Sequence, residues 1–207
     1  MSFRAGLMRL SIEPFVTALN VRPLFVEPRD IPDGALVQAA REGQAWAQEQ
    51  LFKRYAPIAL SMAWRLIPTE DPEDVAQEAL IQALTKLDRL ETPQAFAGWL
   101  STIVVRLATS RLRRRRMLER LGLRGKARAI DVEDYIAGPS SAQTRAELSE
   151  VYRMLDTLPA EERVALVLQR VEGLELTEIA ARMNLSLATV KRRLTAAATK
   201  LEEKRHG

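Results

Sequence analysis

Residues 99–116 read WLSTIVVRLATSRLRRRR, an apolar stripe at helical spacing that runs into four consecutive arginines. One face of such a helix can pack on a core while its basic end faces a polyanion. The stretch therefore predicts a long basic helix, about residues 95–120, that is held by a folded domain. A charge run that only faces water is the alternative that these residues alone leave open. The stripe comprises Leu100, Ile103, Val104, Leu107 and Leu112.

The charges of the chain fall into blocks. Residues 99–128 carry ten basic residues against one acidic residue, and residues 163–207 carry nine against five. Residues 33–98 and 129–162 are acidic, with six basic against ten acidic and two against eight. Two separate contacts with nucleic acid would produce this pattern, and so would acidic surfaces that meet a protein partner.

Composition argues against catalysis. The 207 residues are 47% hydrophobic and 5% aromatic, enough to fill one or two domains. There is no cysteine, and the one histidine, His206, is next to last in the chain. We find no glycine-rich phosphate loop and no nucleophile elbow, so we expect no enzyme, no bound metal and no cofactor. No apolar run is long enough for a signal peptide or a membrane span, which predicts a cytoplasmic protein without membrane insertion.

Prolines and glycines divide the chain into two helical regions. Four prolines interrupt residues 1–32, and glycines with a Ser-Ser pair interrupt residues 121–143. The predicted fold is all-α, with two small helical domains joined by a flexible linker. The predicted domains are 33–120 and 144–207, the linker is 121–143, and an N-terminal extension of unknown role covers 1–32.

The first domain opens with two predicted helices. Asp33 is a plausible N-cap of the first and Gly43 a plausible stop. The second should run from about residue 44 to 66, and Pro57 should kink or divide it. Its predicted core stripe includes Trp46, Leu51, Tyr55, Ile58, Met62 and Leu66.

A third helix should begin at the sequence DPED, residues 71–74. It combines an Asx cap, a proline at the first position and acids in the first turn. We expect this helix to reach about Leu87, followed by a loop over 88–94. Its face opposite the core is polar, with one apolar residue that hints at a contact surface. This face comprises Asp74, Gln77, Glu78, Ile81 and Gln82.

The end of the chain matches a helix-turn-helix. Residues 176–183 form a short helix, Asn184 and Leu185 a tight turn, and Ser186 caps a last helix. A buried Ala180 and the apolar Ile179, Leu185 and Val190 would pack the pair. A generic three-helix unit would look similar. The second helix would offer its first residues to a DNA major groove, namely Ser186, Leu187, Ala188, Thr189, Lys191 and Arg192, with Arg193 near the backbone.

The two regions together resemble bacterial RNA polymerase sigma factors of the sigma-70 family. The resemblance is to the extracytoplasmic-function (ECF) group, which keeps only the second and fourth sigma domains. It covers about residues 33–118 and 144–203, and its segments are loose singly but specific in this order and spacing. They are DGALV 33–37 with REG 41–43, DPEDVAQEAL 71–80, WLSTI 99–103 with RLRRR 111–115, and LP 158–159, VEGL 171–174, EIA 178–180 and TVKRRL 189–194.

The resemblance implies a factor that binds core RNA polymerase, recognises a two-part promoter and melts its −10 region. The polar face of the third helix would dock on the clamp helices of the largest polymerase subunit. The basic helix and the loop before it would bind the −10 element, including a flipped base of the single-stranded non-template strand. The implied −10 contacts are Asp88, Arg89, Phe96, Trp99, Arg106, Ser110, Arg113, Arg114, Arg115 and Arg116.

The fourth sigma domain is expected to read the −35 element through its last helix and to meet the polymerase flap. The linker would thread the polymerase between the two domains. In this group an anti-sigma factor binds the second and fourth domains, so we expect such a partner. The promoter motif, the inducing signal and the identity of that partner are not readable from the sequence.

The chain departs from the family pattern in two places. The family usually has an Arg-Asn pair and a later Asp in the promoter-melting helix, where this chain has Val105, Arg106 and Ser110. In the last helix the family commonly has arginines where this chain has Ala196 and Ala198. The family's rules for which bases are read therefore do not transfer directly.

Two other functions compete with this interpretation. A helix-turn-helix regulator that binds duplex DNA without polymerase would explain residues 144–205 but leave 71–116 unused. An accessory protein that binds polymerase or RNA would explain the arginines but not the helix-turn-helix.

Overall fold

The computed structural model describes residues 31–123 and 142–206, and all regular structure within these ranges is helical. The predicted all-α fold with two small domains is confirmed. Two compact units form, one mainly from residues before 124 and the other mainly from residues after 141. Residues 1–30 and 124–141, which hold the predicted extension and most of the predicted linker, lie outside the described residues.

Within residues 31–123, the first unit contains four helices and two short 3₁₀ turns. The helices are α1 (Asp33–Arg41), α2 (Ala45–Leu66), α3 (Pro72–Thr85) and α4 (Phe96–Arg120). The turns are Leu87–Arg89 and Pro93–Ala95, between α3 and α4. Helix α2 packs against α1, α3 and α4, which makes it the centre of this unit.

Helix α1 ends in a glycine turn, as the sequence predicts. Gly43 has a φ of +80°, and its N–H bonds the carbonyl of Ala40 at 3.1 Å. The N–H of Gln44 reaches back to the carbonyl of Ala39, also at 3.1 Å. These two bonds form a Schellman motif, whose left-handed position glycine occupies without strain.

The start of α1 differs from the prediction. Pro32 occupies the N-cap position and Asp33 is the first helical residue, so the expected Asp33 cap is wrong. The Asp33 carboxylate instead accepts hydrogen bonds from Tyr55 and, at 2.5 Å, from Arg54. The carboxylate therefore connects α1 to α2.

Helix α2 runs through Pro57 without dividing, and its buried face is richer in alanine than expected. Trp46 and Ile58, both predicted in the core, are 45% and 49% exposed. Alanines take the interior positions instead, because small side chains let the neighbouring helices approach closely. The buried face comprises Ala47, Leu51, Tyr55, Ala59, Met62, Ala63 and Leu66.

Helix α3 begins at Pro72, the predicted first position. Asp71 precedes it with a left-handed φ of 52° and no side-chain cap bond, so the expected Asx cap is wrong. The helix ends at Thr85 rather than at Leu87, and Leu87 is buried in the following 3₁₀ turn. The prediction of the acidic first turn holds, since Glu73 and Asp74 lie there.

Helix α4 is the predicted basic helix, with 25 residues. Its apolar stripe is buried against the other helices of the unit, although Leu107 is only half-buried. The first two-thirds of α4 are thereby anchored in the core. The buried apolar residues are Phe96, Leu100, Ile103, Val104, Val105, Ala108 and Leu112.

The second unit contains α5 (Ala142–Leu155), α6 (Ala160–Arg170), α7 (Leu176–Met183) and α8 (Leu187–His206). Helix α6 is buried from Glu162 to Leu168 and packs against α8. It ends at Arg170, shortly before Gly173, which has a φ of +68°. Buried Arg163 pairs with Asp156, which neutralises its charge inside the unit.

Candidate functional site

One face of α3 is polar and open to solvent. Asp74, Gln77 and Ile81 are exposed, and Glu78 and Gln82 are half-buried. Their spacing places all five on one side of the helix. Ile81 is 51% exposed among polar neighbours, an arrangement that suits a protein contact.

Side chains of this α3 face are connected to the basic helix α4. Gln82 Oε1 accepts a hydrogen bond from Arg106 Nη2 at 2.9 Å, and Gln82 Nε2 donates to Glu78 Oε1 at 3.1 Å. Glu78 Oε2 lies 3.4 Å from Arg111 Nη2. A continuous polar network therefore joins the two surfaces that the sequence assigns to different partners.

Arg41 fixes the chain between α3 and α4. Its guanidinium donates to the carbonyl of Leu87 from Nε at 3.1 Å and from Nη2 at 2.9 Å, and also to the carbonyl of Leu90. Asp88 and Arg89 are exposed on this braced segment. Sequence reasoning missed Arg41, since nothing in its local pattern points to carbonyls 46 and 49 residues later.

The two aromatic residues predicted behind this loop differ in exposure. Phe96 is fully buried, with its ring centroid 4.9 Å from that of Tyr55. Trp99 is half-buried and lies 6.2 Å from Phe96, edge to face. A ring without exposed surface offers no face for stacking a base, so we assign Phe96 to the core. Trp99 keeps part of its surface open.

The four consecutive arginines of α4 are not equivalent. Arg113 and Arg114 are exposed, and Arg116 is half-buried. The Arg115 side chain is 9% exposed and pairs with Glu119 at 2.7 Å and with Glu70 at 3.5 Å. Burial and these two ion pairs distinguish Arg115 from the other three arginines of the run.

The three positions of α4 that depart from the family pattern differ in burial. Val105 is 1% exposed and belongs to the core. Arg106 and Ser110 are exposed on the outer side of α4. Only the latter two positions are accessible to a ligand.

The predicted helix-turn-helix is present as α7, a tight turn and α8. Asn184 has a left-handed φ of 52°, and the N–H of Leu185 bonds the carbonyl of Ala180 at 2.9 Å. Ile179 and Val190 are fully buried between the helices, whereas Ala180 is only half-buried, contrary to the prediction. The turn therefore has the geometry that a helix-turn-helix needs.

The start of α8 presents the predicted groove-facing residues. Ser186 caps the helix, with its Oγ accepting the Thr189 N–H at 3.2 Å. Thr189 is half-buried, and Ala196 and Ala198 further along the helix are also half-buried. The exposed members of the predicted set are Ser186, Leu187, Ala188, Lys191 and Arg192.

Arg193 is held from within the unit by a carboxylate that sequence reasoning missed. Glu162 on α6 is 4% exposed and lies 3.9 Å from Arg193 Nη1. The same carboxylate binds Lys200 Nζ at 2.8 and 3.1 Å. In the sequence, Glu162 is one of two acidic residues in the first turn of α6, and no local pattern distinguishes it from Glu161.

The part of the chain that the structure describes contains neither a metal-binding cluster nor a membrane-spanning helix. No cluster of three or more His, Asp or Glu side chains that could hold a metal ion is present in residues 31–123 and 142–206. In the same part of the chain, no helix combines the length and hydropathy that a membrane span requires.

Both units match known families. Residues 51–117 match the family description "Sigma-70 region 2", and residues 148–201 match "Sigma-70, region 4". The chain is 31% identical to the ECF RNA polymerase sigma-E factor of Escherichia coli (strain K12) over 186 residues, which cover 84% of this chain and 94% of that protein. It is 32% identical to the ECF RNA polymerase sigma factor SigE of Mycolicibacterium smegmatis over 176 residues, covering 82% and 66%.

Solved structures show the same similarity. CnrH in complex with the cytosolic domain of CnrY matches with a TM-score of 0.57 and 26% identity, over 84% of this chain and 97% of that chain. The sigma factor RpoE in complex with the anti-sigma factor NepR from Bartonella quintana matches with the same TM-score and 24% identity, over 75% and 94%, a likeness of fold.

Proposed function

This chain belongs to the extracytoplasmic-function group of the sigma-70 family, and on that premise we propose that it binds core RNA polymerase and directs initiation at promoters with a −10 and a −35 element. The first unit contacts polymerase and the −10 element. The second unit contacts the −35 element. The protein supplies binding and positioning, and the polymerase supplies the chemistry.

The α3 face carries the polymerase contact. It offers acidic and amide groups around the half-exposed Ile81, a mixture of one apolar anchor and a polar rim. A fixed helix face with this composition suits docking on a basic or amphipathic helix. The proposed contacts are Asp74, Gln77, Glu78, Ile81 and Gln82.

The −10 element is bound by α4 and the loop before it. Melting a duplex costs roughly a few kcal/mol per extruded base, which a pocket and phosphate contacts must offset. The braced segment with Asp88 and Arg89, and the half-buried Trp99 behind it, provide the candidate base contacts. The exposed arginines provide the phosphate contacts, which make affinity fall with salt. The proposed set is Asp88, Arg89, Trp99, Arg106, Ser110, Arg113, Arg114 and Arg116.

The −35 element is bound by α8. A helix-turn-helix places the first residues of its second helix in the major groove, where side chains contact base edges. Leu187, Ala188, Lys191 and Arg192 are exposed at that end of α8. Arg193 lies within reach of Glu162 and can only reach the DNA backbone by weakening that pair.

An anti-sigma factor is the proposed regulatory partner. The similar solved chains CnrH and RpoE are each described in complex with another protein, the cytosolic domain of CnrY and the anti-sigma factor NepR. A partner of this kind would cover the α3 face that polymerase needs, because both would use its exposed Ile81 and acidic groups.

The observation that supports the proposal is the polar network that joins the open polar face of α3 to the basic helix α4 within one unit. The test is capture of genomic DNA fragments by purified core polymerase, by this chain, and by both together. We expect a shared two-part motif to be enriched only with both present. Enrichment of one duplex motif by the chain alone would instead indicate an ordinary helix-turn-helix regulator.

A further inference from the structure

Arg115 has a different environment from the other arginines of its run. Its guanidinium lies among three acceptors: Glu119 Oε1 at 2.7 Å, Thr69 Oγ1 at 3.1 Å and Glu70 Oε1 at 3.5 Å. The side chains of Arg115 and Glu70 are 9% and 7% exposed, so this pair is withdrawn from solvent. A charge in this position is not available to a phosphate.

Two of these acceptors, Thr69 and Glu70, belong to the short, well-packed loop between α2 and α3. Ile67 and Pro68 of this loop are buried, and the N–H of Glu70 bonds the carbonyl of Ile67 at 3.1 Å. Arg115 therefore connects the basic end of α4 to a fixed part of the first unit.

The basic end of α4 is less buried than the rest of the helix. Leu112 is the last buried apolar residue of α4, and Arg115 is its last buried residue of any kind. The contacts of Arg115 with Thr69 and Glu70 therefore lie where the buried part of α4 ends, next to residues that are exposed or half-buried. Helical segments with little packing are marginal in water, so a contact at this point supports the turn beyond it.

We propose that Arg115 is a positioning residue: with Glu70 it clamps the end of α4 to the α2–α3 loop and so holds its neighbouring arginines in the geometry that binds the DNA backbone. This inference rests on the proposed function, because it requires DNA on α4. Under this proposal, exposed arginines such as Arg114 bind the DNA backbone, whereas Arg115 anchors the helix that carries them.

The Glu70–Arg115 pair allows a test in which two explanations predict opposite changes in DNA affinity. Replacing Glu70 with Gln removes a negative charge from the DNA-binding unit, so simple electrostatics predicts tighter binding. Loss of the anchor predicts weaker binding, because the neighbouring arginines lose their fixed geometry. The matched control is Glu49→Gln on α2, an exposed carboxylate whose pKa is lowered by its hydrogen bond to Lys53 and which is therefore ionised at neutral pH.

The experiment uses the full chain and a fluorescein-labelled oligothymidylate of about 20 nucleotides. Affinity is measured by anisotropy between about 50 and 200 mM NaCl, and hydrogen exchange is followed by mass spectrometry at residues 113–120. Glu70→Gln should weaken binding by roughly threefold or more and speed exchange in that segment. Glu49→Gln should leave exchange unchanged and bind equally well or more tightly.

Arg114→Ala tests the proposed function separately. It should lower the salt slope by about 0.7, the loss of one phosphate contact on a single strand, without faster exchange. An unchanged slope here would count against DNA binding by α4 itself. Suppose that Arg114→Ala lowers the salt slope as expected but Glu70→Gln binds DNA more tightly. That combination would overturn the role of Arg115 as an anchor and leave DNA binding by α4 standing.

A double variant guards against a folding defect. Glu70→Leu with Arg115→Met replaces the buried pair by apolar side chains of similar size, which proteins often tolerate. We expect it to regain most of the affinity and to keep the salt slope of the unmodified chain. A slope lowered as in Arg114→Ala would show that Arg115 is a phosphate ligand and would overturn the proposal.

Discussion

Arg106 on α4 donates a hydrogen bond to Gln82 on α3, with 2.9 Å between Nη2 and Oε1. Gln82 belongs to the proposed polymerase surface and Arg106 to the proposed −10 surface. The two surfaces therefore share a contact, which Glu78 and Arg111 extend. If the binding of polymerase or DNA changes these bonds, it changes the affinity for the other partner by the same free energy.

A double-mutant cycle measures this connection. Gln82→Ala and Arg106→Ala should each reduce the fraction of open promoter complex formed by holoenzyme. Their effects should be non-additive by about 0.5–1.5 kcal/mol, since a hydrogen bond to a charged group is lost once rather than twice. Permanganate reactivity of unpaired thymines reports the open fraction. Strictly additive effects would mean that the bond does not contribute in the complex.

The polymerase surface can be tested without disturbing the fold. Gln77→Ala combined with Glu78→Ala should weaken holoenzyme formation at least several-fold, while the helicity measured by circular dichroism stays the same, because alanine is a strong helix former. The comparison variant is Glu49→Ala with Lys53→Ala, an exposed pair on α2. Equal polymerase affinity of the two double variants would remove Gln77 and Glu78 from the interface.

The −35 contact predicts a defined loss of salt dependence. Lys191→Ala with Arg192→Ala should lower the salt slope for duplex promoter DNA by about 1.8, because two cations that lie between the phosphates of the groove no longer displace bound counterions. Lys200→Ala on the same helix is the control, since Lys200 is bound to the buried Glu162. The control should cost stability but leave the slope unchanged. A reversed pattern would place the DNA at the other end of α8.

The cap of α8 predicts a stability effect. Ser186→Ala removes the acceptor of the Thr189 N–H and should lower the free energy of unfolding by about 1 kcal/mol. Ser186→Asn retains an acceptor of suitable geometry and should restore most of the loss. Urea unfolding of the full chain measures both. If Ser186→Ala unfolds at the same urea concentration as the unmodified chain, the cap contributes nothing.

The sequence was sufficient to predict the helices because their apolar periodicity and stop signals are strong. Gly43 ends α1 as expected, and Ser186 caps α8. Trp46 and Ile58 were placed in the core because large apolar side chains dominate a hydrophobic pattern. In the structure, alanines occupy much of the buried face of α2, because close helix packing leaves room only for small side chains. No local pattern in the sequence indicates this.

The candidate site was less predictable because contacts between distant residues decide which charges are available. Arg115 looks like its neighbours in the sequence, yet Glu70, 45 positions earlier, buries it. Arg41 and Glu162 were missed for the same reason, since each acts on groups far along the chain. Periodicity identifies a helix face but not the partner that packs on it.

Transcription initiation by reconstituted holoenzyme decides whether this chain is a sigma factor. Purified core polymerase and this chain transcribe a genomic library, and the 5′ ends of the transcripts are sequenced. We expect discrete start sites, absent with core alone, that share two upstream motifs at a fixed spacing. Start sites identical to those of core alone, or enriched sites without a second motif, would contradict it.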